Sequence, residues 1–315
     1  MKYRQYLGIL LGAIYGISYR LLCENTLFDG MDDYYNIYSI SFLWVLPIVI
    51  SILPILIGGE EVLSSKWKQF FFPILSVFLF FIIAMTSGVE DWICILIIAF
   101  PFLLAAGLVG LLAGYLLNKR NENGLFSLLL LPLLLGPVEN QLPNSKEMFN
   151  VEQSIIIKAS QEAIWDNIIE VPEISKDEYR SGLLNRLGIP RPIKSELKLI
   201  KGEEYRIGYF SEGLKLYETI IEEDSLVFVK FKIEIDKSEL RDTPTDQHLL
   251  KSDYFKFVDI SYRITALGNG DSKLRLNCNY SIESKMNSYA NFWAKIILKD
   301  FEVRLLEVLK AKLEE

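Results

Sequence analysis

Two side chains have the types and surroundings that acid–base chemistry requires. Glu218 follows Leu214 and Leu216 at two-residue spacing, which places its carboxyl on the more apolar face of a predicted strand. Burial raises the pKa of a carboxyl and can make it a general acid or base. The structural alternatives are a strand end, a bulge or a pair with Arg206. His248, the sole histidine, lies in the polar segment RDTPTDQHLL, where a solvated loop position is the alternative to an acid–base role.

Other chemistries lack the motifs that they need. The sequence contains no GxSxG, no glycine-rich phosphate loop and no HExxH. A single histidine without carboxylates at matching spacing predicts no metal site, and no cofactor is expected. Cys23, Cys94 and Cys278 show no zinc-ligand or CxxC spacing. Cys94 and Cys278 are therefore predicted to be small core residues, and no structural disulfide is expected.

The composition divides the chain into two parts. The 315 residues carry a formal net charge of −7, which argues against binding to nucleic acid through phosphate neutralisation. The hydrophobic share is 51%, and the mean hydropathy of +0.25 is high for a soluble enzyme. Residues 1–137 contain 16 charged side chains, whereas residues 138–315 contain 57. The two parts are therefore expected to lie in different solvents.

Residues 1–139 are predicted to form an α-helical membrane domain. A bilayer core of about 30 Å requires about 20 apolar residues in a helix. Apolar runs predict five spans, at residues 6–22, 38–58, 70–88, 92–117 and 125–138. The last run is short and contains Pro132. It is either a span in a thinned bilayer or a re-entrant or interfacial helix.

Basic residues predict the orientation of this domain. One set of loops carries Lys2, Arg4, Lys66, Lys68, Lys119 and Arg120, and the other set carries Arg20 alone. The N-terminus is therefore expected in the cytoplasm of a cell with a bacterial-type inner membrane. With five spans the C-terminal domain lies outside the cytoplasm, and with four spans it lies inside. The first arrangement is preferred.

Residues 140–150 are predicted to be a polar linker, and residues 151–315 a soluble α+β domain. A short strand leads to Ser160 as a helix cap, and a second short helix is expected over Ser175–Leu187, before LGIPRP. Alternating apolar residues then predict an antiparallel sheet whose last two strands are joined by LGNG. A long helix over Asn287–Lys312 follows. Its predicted apolar stripe consists of Ala290, Ala294, Ile297, Phe301, Leu305 and Val308.

The order of these elements resembles the START-like, helix-grip superfamily, which includes the polyketide cyclase/dehydrase (SRPBCC) and lipid-transfer group. The opening VEQSIIIKASQEAIWDNI, with Trp165, is similar to the usual start of that superfamily. LGIPRP and HLL…YFKFVDISYRI resemble bacterial members with an N-terminal membrane region. The resemblance implies a curved antiparallel sheet around a long C-terminal helix, with an apolar cavity for a lipid or another hydrophobic ligand. It implies no catalytic residues.

The expected function is binding, transfer or sensing of a lipid or another hydrophobic small molecule at the membrane. The partners are then the bilayer and the ligand, and nucleic acid is not a partner. A cyclase- or dehydrase-like enzyme using Glu218 or His248 and a non-catalytic interaction module are the alternatives. The predicted cavity residues are Tyr205, Tyr209, Glu218, Phe231, Tyr262, Tyr280, Tyr289, Trp293 and Ile297. A core filled by these side chains is the alternative to a cavity.

Overall fold

A computed structural model describes residues 3–24, 34–117, 127–268 and 270–314. The chain forms two compact units. The first contains Met1–Ser145 together with Ser284–Met286, and the second contains Lys146–Glu283 and Asn287–Glu315. The first unit is helical, and the second combines a sheet with helices.

The first unit contains helices at each of the five predicted apolar segments. They are α1 (Arg4–Leu22), α2 (Leu46–Gly58, preceded by a wide turn at Ser41–Val45), the short α3 (Glu60–Leu63), α4 (Lys66–Thr86), α5 (Trp92–Leu117) and α6 (Leu131–Asn140, preceded by a 3-10 turn at Ser127–Leu130). Among the described residues, three helices are long and apolar enough to cross a membrane: Ser41–Gly58, Lys66–Thr86 and Trp92–Leu117. Helix α1 falls outside this set because polar residues interrupt it, and Ser127–Asn140 because it is short.

Small residues bring the apolar helices close together. Gly8, Gly12 and Gly16 repeat every four residues on one face of α1. A Cβ added to Gly8 would lie 2.8 Å from the Cα of Pro54, and one added to Gly12 would lie 2.8 Å from the Ile50 carbonyl oxygen of α2. Such small-residue stripes let helix backbones approach closely where lipid provides no hydrophobic drive.

Side-chain hydrogen bonds connect helix α6 to other segments of the first unit. The Tyr35 hydroxyl donates a 3.0 Å hydrogen bond to the Leu133 carbonyl. Pro137 lacks the N–H that this carbonyl would meet one turn later in a regular helix, so Tyr35 replaces a missing backbone bond. Glu139 accepts hydrogen bonds from the backbone N–H groups of Ile40 and Ser41, at 2.6 and 2.9 Å. The last turn of α6 therefore lies beside the start of the helical segment that leads into α2.

The described residues of the second unit form a seven-stranded sheet and three α-helices. Its elements are β1 (Ser145–Ile157), α7 (Gln161–Ile169), α8 (Leu183–Arg186), β2 (Pro192–Ile200), β3 (Glu203–Phe210), β4 (Lys215–Asp224), β5 (Phe228–Ile233), β6 (Phe255–Ala266), β7 (Ser272–Ser284) and α9 (Asn287–Glu314). The strand order is β1-β7-β6-β5-β4-β3-β2, and the pairs from β2 to β7 are antiparallel. The antiparallel sheet followed by a long C-terminal helix is consistent with the helix-grip fold that the sequence resembles.

Local signals behave as predicted at several boundaries. The Ser160 hydroxyl accepts a 3.3 Å hydrogen bond from the Ala163 N–H and begins α7. Gly268 and Gly270 take φ values of 82° and 88° between β6 and β7, where a side chain would strain the turn.

Two boundaries differ from the prediction. Strand β1 begins at Ser145, inside the segment expected to be a linker. The helix expected over Ser175–Leu187 is only the single turn Leu183–Arg186, because turns precede it and the Asn185 side chain accepts a 2.9 Å hydrogen bond from the Gly182 N–H at its start.

Candidate functional site

Strand register determines which side chains share the helix-facing side of the sheet. Arg206 stands opposite Glu218 on β3 and β4, and Ile220 stands opposite Phe231 on β5. Phe231 in turn stands opposite Ile260 on β6. Directly opposed residues project to the same face. One face therefore carries both the apolar residues and the Arg206–Glu218 pair.

The apolar residues of this face form three clusters rather than one. The largest joins Phe231 and Tyr262 to the C-terminal part of α9, at Leu305 and Leu309. A second surrounds Tyr280 and includes Ala290, Ala294 and Leu298 of α9. A third contains Leu214, Leu216 and Ile233. Ile260 packs against all three. Ile260 therefore links the three clusters on the helix-facing side of the sheet.

The two halves of α9 are buried to different degrees. Leu305, Leu306 and Leu309 are buried in the C-terminal half. In the N-terminal half Tyr289, Trp293 and Ile297 are only half-buried, and Phe292 is 56% exposed. The Tyr280 hydroxyl donates a 2.7 Å hydrogen bond to the Asn291 side chain and so ties β7 to this half of the helix.

A buried ion pair lies on the helix-facing side of β3 and β4. Arg206 and Glu218 are 6% and 5% exposed, and Nη1 of Arg206 donates to Oε2 of Glu218. Arg206 Nε also donates to the Ile169 carbonyl at 2.9 Å. The guanidinium carbon lies 4.8 Å from the centre of the Phe231 ring. Glu218 is therefore paired with Arg206, which is one of the structural alternatives that the sequence suggests. The charge of the Glu218 carboxylate is balanced within the domain.

Glu302 is a buried carboxyl without such a partner. It is 2% exposed, and neither carboxyl oxygen has a hydrogen-bond partner among the described residues. It lies on α9 one turn after Leu298 of the second cluster and one turn before Leu305 of the largest cluster. Burial, with a smaller contribution from the charge of Glu152, raises the pKa of Glu302 to about 8. This carboxyl is therefore largely protonated at neutral pH.

The charge of Glu302 raises the pKa of three residues on two neighbouring strands. They are Tyr262 on β6 and Cys278 and Tyr280 on β7. Burial raises the pKa of Tyr262 to about 12, against the effect of Arg206, and Glu218 and Glu302 raise it further. The pKa of Tyr262 is thus affected both by the Arg206–Glu218 pair and by Glu302.

The structure brings most of the predicted cavity residues to the same side of the sheet. Glu218, Phe231, Tyr262 and Tyr280 lie on its helix-facing side. Tyr289, Trp293 and Ile297 lie on the half-buried part of α9. Whether any of them contacts a ligand stays a prediction.

Tyr205 and Tyr209 lie on the opposite side of the sheet, which corrects the expectation that they face inward. Side chains alternate along a strand, and Arg206 between them faces the helix. The Tyr209 hydroxyl donates to Glu196 at 2.6 Å and accepts from Lys198 at 3.0 Å. Tyr205 donates to Glu203. Both tyrosines thus belong to charged networks on the outer face.

Glu302 was not among the residues predicted from the sequence. Its signal is present in the spacing, because Leu298, Glu302 and Leu305 follow the three- and four-residue rhythm of a helix face. A carboxyl at an otherwise apolar position of a helix face departs from the expected pattern, and helical periodicity alone is enough to detect it. The predicted stripe instead followed Ile297, which is outside the apolar clusters of the described residues.

His248 lies in a short helical turn, Asp246–Leu250, and is half-buried. The turn is held by Arg241, whose Nη2 and Nε donate to the Asp246 carboxylate at 2.7 and 3.1 Å. Arg241 Nη1 also donates to the Gly188 carbonyl at 3.1 Å, which fastens the LGIPRP segment to this turn. The hydrogen bonds of Arg241 therefore explain the conformation of the turn that contains His248.

Comparison with known proteins gives similarity of fold only. No family model and no curated protein matches this chain. Similar solved structures include the Zhui aromatase/cyclase from Streptomyces sp. R1128, at 11% identity and a TM-score of 0.34, covering 53% of this chain and 94% of that chain. Norcoclaurine synthase from Thalictrum flavum has 13% identity and a TM-score of 0.33, with coverage of 53% and 87%. The major latex-like protein 151 from Panax ginseng has 13% identity and a TM-score of 0.34, with coverage of 53% and 97%.

These neighbours are SRPBCC or Bet v1-like proteins, the superfamily that the sequence resembles. The helix-grip arrangement rests on the strand order and on the long C-terminal helix of this chain.

Proposed function

We propose that the second unit binds a hydrophobic small molecule between its sheet and α9, and that the apolar helices hold it at a membrane. The observation that carries this proposal is the helix-facing side of the sheet, where three apolar clusters and a few buried polar groups occur together. Ligand sites in proteins have this composition: mostly apolar walls with a small number of oriented polar side chains. Burial of an alkyl chain there contributes about 0.8 kcal/mol per CH₂ group.

The half-buried N-terminal part of α9 suggests where the ligand enters. Trp293 and Ile297 are half-buried, and Phe292 and Ile296 are 56% and 38% exposed. Ala290, Ala294 and Leu298 of this half face the Tyr280 cluster and are themselves only half-buried, so a ligand that reached the interior there would remove apolar surface of these residues from water. The C-terminal half already packs against the largest cluster, so a ligand there would remove less apolar surface from water.

The arrangement of the first unit supports membrane anchoring with the N-terminus in the cytoplasm. Lys68 Nζ donates to Gln5 at 3.0 Å, so the start of α4 lies beside the start of α1. The other ends of these helices are joined by a buried ion pair, in which Arg20 Nε lies 2.5 Å from Glu90. Arg20, the basic residue that opposed the predicted orientation, is therefore neutralised by an acid.

Helix α6 supports a fifth crossing. Its last residues lie beside Ile40 and Ser41, through Glu139, at the end of the bundle where α1 finishes. Tyr15 and Tyr19, one turn apart on α1, donate to the carbonyls of Leu129 and Pro132, so the segment leading into α6 runs in the same direction as α1 beside its last turns. The chain would then leave the bundle at the end opposite to its N-terminus, and the second unit would lie outside the cytoplasm.

The proposal is tested by asking what co-purifies with the full chain. Native mass spectrometry of the detergent-purified protein should show an added mass that organic extraction identifies as a lipophilic molecule. Ala294 packs in the Tyr280 cluster, so Ala294→Phe should reduce the added mass by about tenfold through overpacking.

The matched control is Ala311→Phe, at an exposed position of the same helix. It should retain the added mass. Absence of any added mass from the wild type, or equal amounts in all three proteins, would contradict ligand binding in the second unit.

A further inference from the structure

The unpartnered carboxyl of Glu302 indicates what kind of ligand the interior suits. Among the described residues of the second unit, the other buried charged side chains are paired: Arg206 with Glu218, and Arg241 with Asp246. Within the part of this unit that the structure describes, Glu302 alone is a buried carboxyl with no hydrogen bond at either oxygen. Burying such a group is costly unless it finds a partner.

The surroundings of Glu302 favour a positively charged partner. Among the described residues, the groups that interact electrostatically with it are Glu152 from β1, Tyr262 from β6, and Cys278 and Tyr280 from β7. None is a cation. Glu152 is half-exposed and lies 3.5 Å from Arg275, on the outer side of the same region. The interior therefore holds one acidic group more than its buried basic groups can balance.

We propose that the ligand of the second unit is an amphiphile with a cationic amine, whose ammonium group pairs with Glu302 while its alkyl part lies among the apolar clusters. This inference rests on the proposed function. An ammonium group supplies several hydrogen-bond donors to the two carboxyl oxygens, and the charge-assisted bond is stronger than a neutral one. A fatty acid would instead place two acidic groups side by side.

Proton release follows from this pairing. Glu302 is largely protonated in the unliganded protein at neutral pH. An alkylammonium group, with a pKa of about 10, arrives charged. Pairing with it stabilises the carboxylate, so the Glu302 proton passes to the buffer while the ammonium keeps its own. Amine affinity should therefore rise with pH up to about pH 8 and level off above it.

The test compares three probes of equal chain length, octylamine, octanol and octanoate, by calorimetry on the full chain in detergent. The variants are Glu302→Gln and, as a matched control at an exposed position of the same helix, Glu307→Gln. The same micelles without protein provide the blank. For the wild type we expect octylamine to bind most tightly and to release up to about one proton at about pH 6.5.

Glu302→Gln should weaken octylamine binding by about tenfold and abolish proton release, whereas octanol binding changes by less than about twofold. Glu307→Gln should behave as the wild type. The inference is overturned if octanoate binds best, or if octylamine binding is unchanged in Glu302→Gln; retained octanol binding would then leave the proposed function intact. Failure of all three probes to bind would overturn both.

Discussion

At the scale of single residues, Glu302 differs from Glu218 in what surrounds its carboxyl. Glu218 is paired with Arg206, which also meets the Ile169 carbonyl and the Phe231 ring. Glu302 has no hydrogen-bond partner among the described residues. Proteins keep destabilising side chains mainly where function needs them. Glu302 is therefore the residue on which the binding account depends most.

We predict that Glu302→Leu stabilises the protein at alkaline pH. The folded-state pKa of about 8 lies above the ordinary value of 4.5, so the folded protein holds a proton that the unfolded chain has lost between these values. The free energy of unfolding should fall as pH rises through this window, and the leucine variant should lack this fall. The expected gain is about 2–4 kcal/mol at pH 8.

Denaturant unfolding of the full chain across pH measures this effect, with Glu307→Leu as the control at an exposed site. The control should keep the pH dependence of the wild type. A leucine variant at position 302 that is destabilised at pH 8 would mean that the carboxyl has a stabilising partner.

At the scale of elements, the sequence predicts most of the second unit. Strand alternation identifies β6 and β7, and helical periodicity identifies α9 almost to its ends. Alternation cannot tell which of two faces meets the helix when both carry aromatic residues. For that reason the sequence predicts inward positions for Tyr205 and Tyr209, whereas Arg206 takes the inner position in the structure. The pairing of Arg206 with Glu218 depends on strand register, which the sequence leaves open.

In the first unit, apolar runs predict the helices but not their contacts. The glycines of α1 contact α2 and α4 at positions that only the folded backbone reveals. The spacing Gly8, Gly12, Gly16 was nevertheless visible in the sequence and is typical of close helix packing. Likewise, the Tyr35 hydroxyl donates to the Leu133 carbonyl, which has no backbone partner because residue 137 is proline. No local sequence pattern links Tyr35 to Pro137.

We predict that Gly12→Leu destabilises the first unit by about 3 kcal/mol or more, because its side chain would collide with the Ile50 carbonyl and Ser76. Thermal unfolding and the yield of monodisperse protein in detergent measure the effect. Leu10→Phe enlarges a side chain that is 44% exposed and should leave both unchanged. Equal behaviour of the two variants would exclude the proposed packing of α1.

At the scale of the whole molecule, each unit accounts for part of the composition. The three apolar helices that could cross a membrane lie in the first unit. The second unit contains the sheet and most of the charged residues. A binding domain tethered to a bilayer meets a lipophilic ligand at a raised effective concentration. The combination of apolar helices and a binding domain thus suits a ligand whose concentration in water is low.

We predict that the two units differ in accessibility across the membrane. With native cysteines replaced, Ser175→Cys in the second unit should react with an impermeant maleimide in intact spheroplasts. Ser64→Cys, between α3 and α4, should react only after lysis. Both positions are exposed, so burial does not limit the reaction. Reaction of both, or of neither, before lysis would indicate that they lie on one side and that α6 does not cross.

The central claim, a hydrophobic ligand beneath α9, is tested most directly by photolabelling the full chain with an alkyl diazirine and mapping the modified peptides. The account predicts modification at Tyr262, Tyr280 and Trp293–Ile297 that excess unlabelled octanol suppresses. Suppressible modification confined to the apolar helices of the first unit, between Ser41 and Leu117, would contradict it.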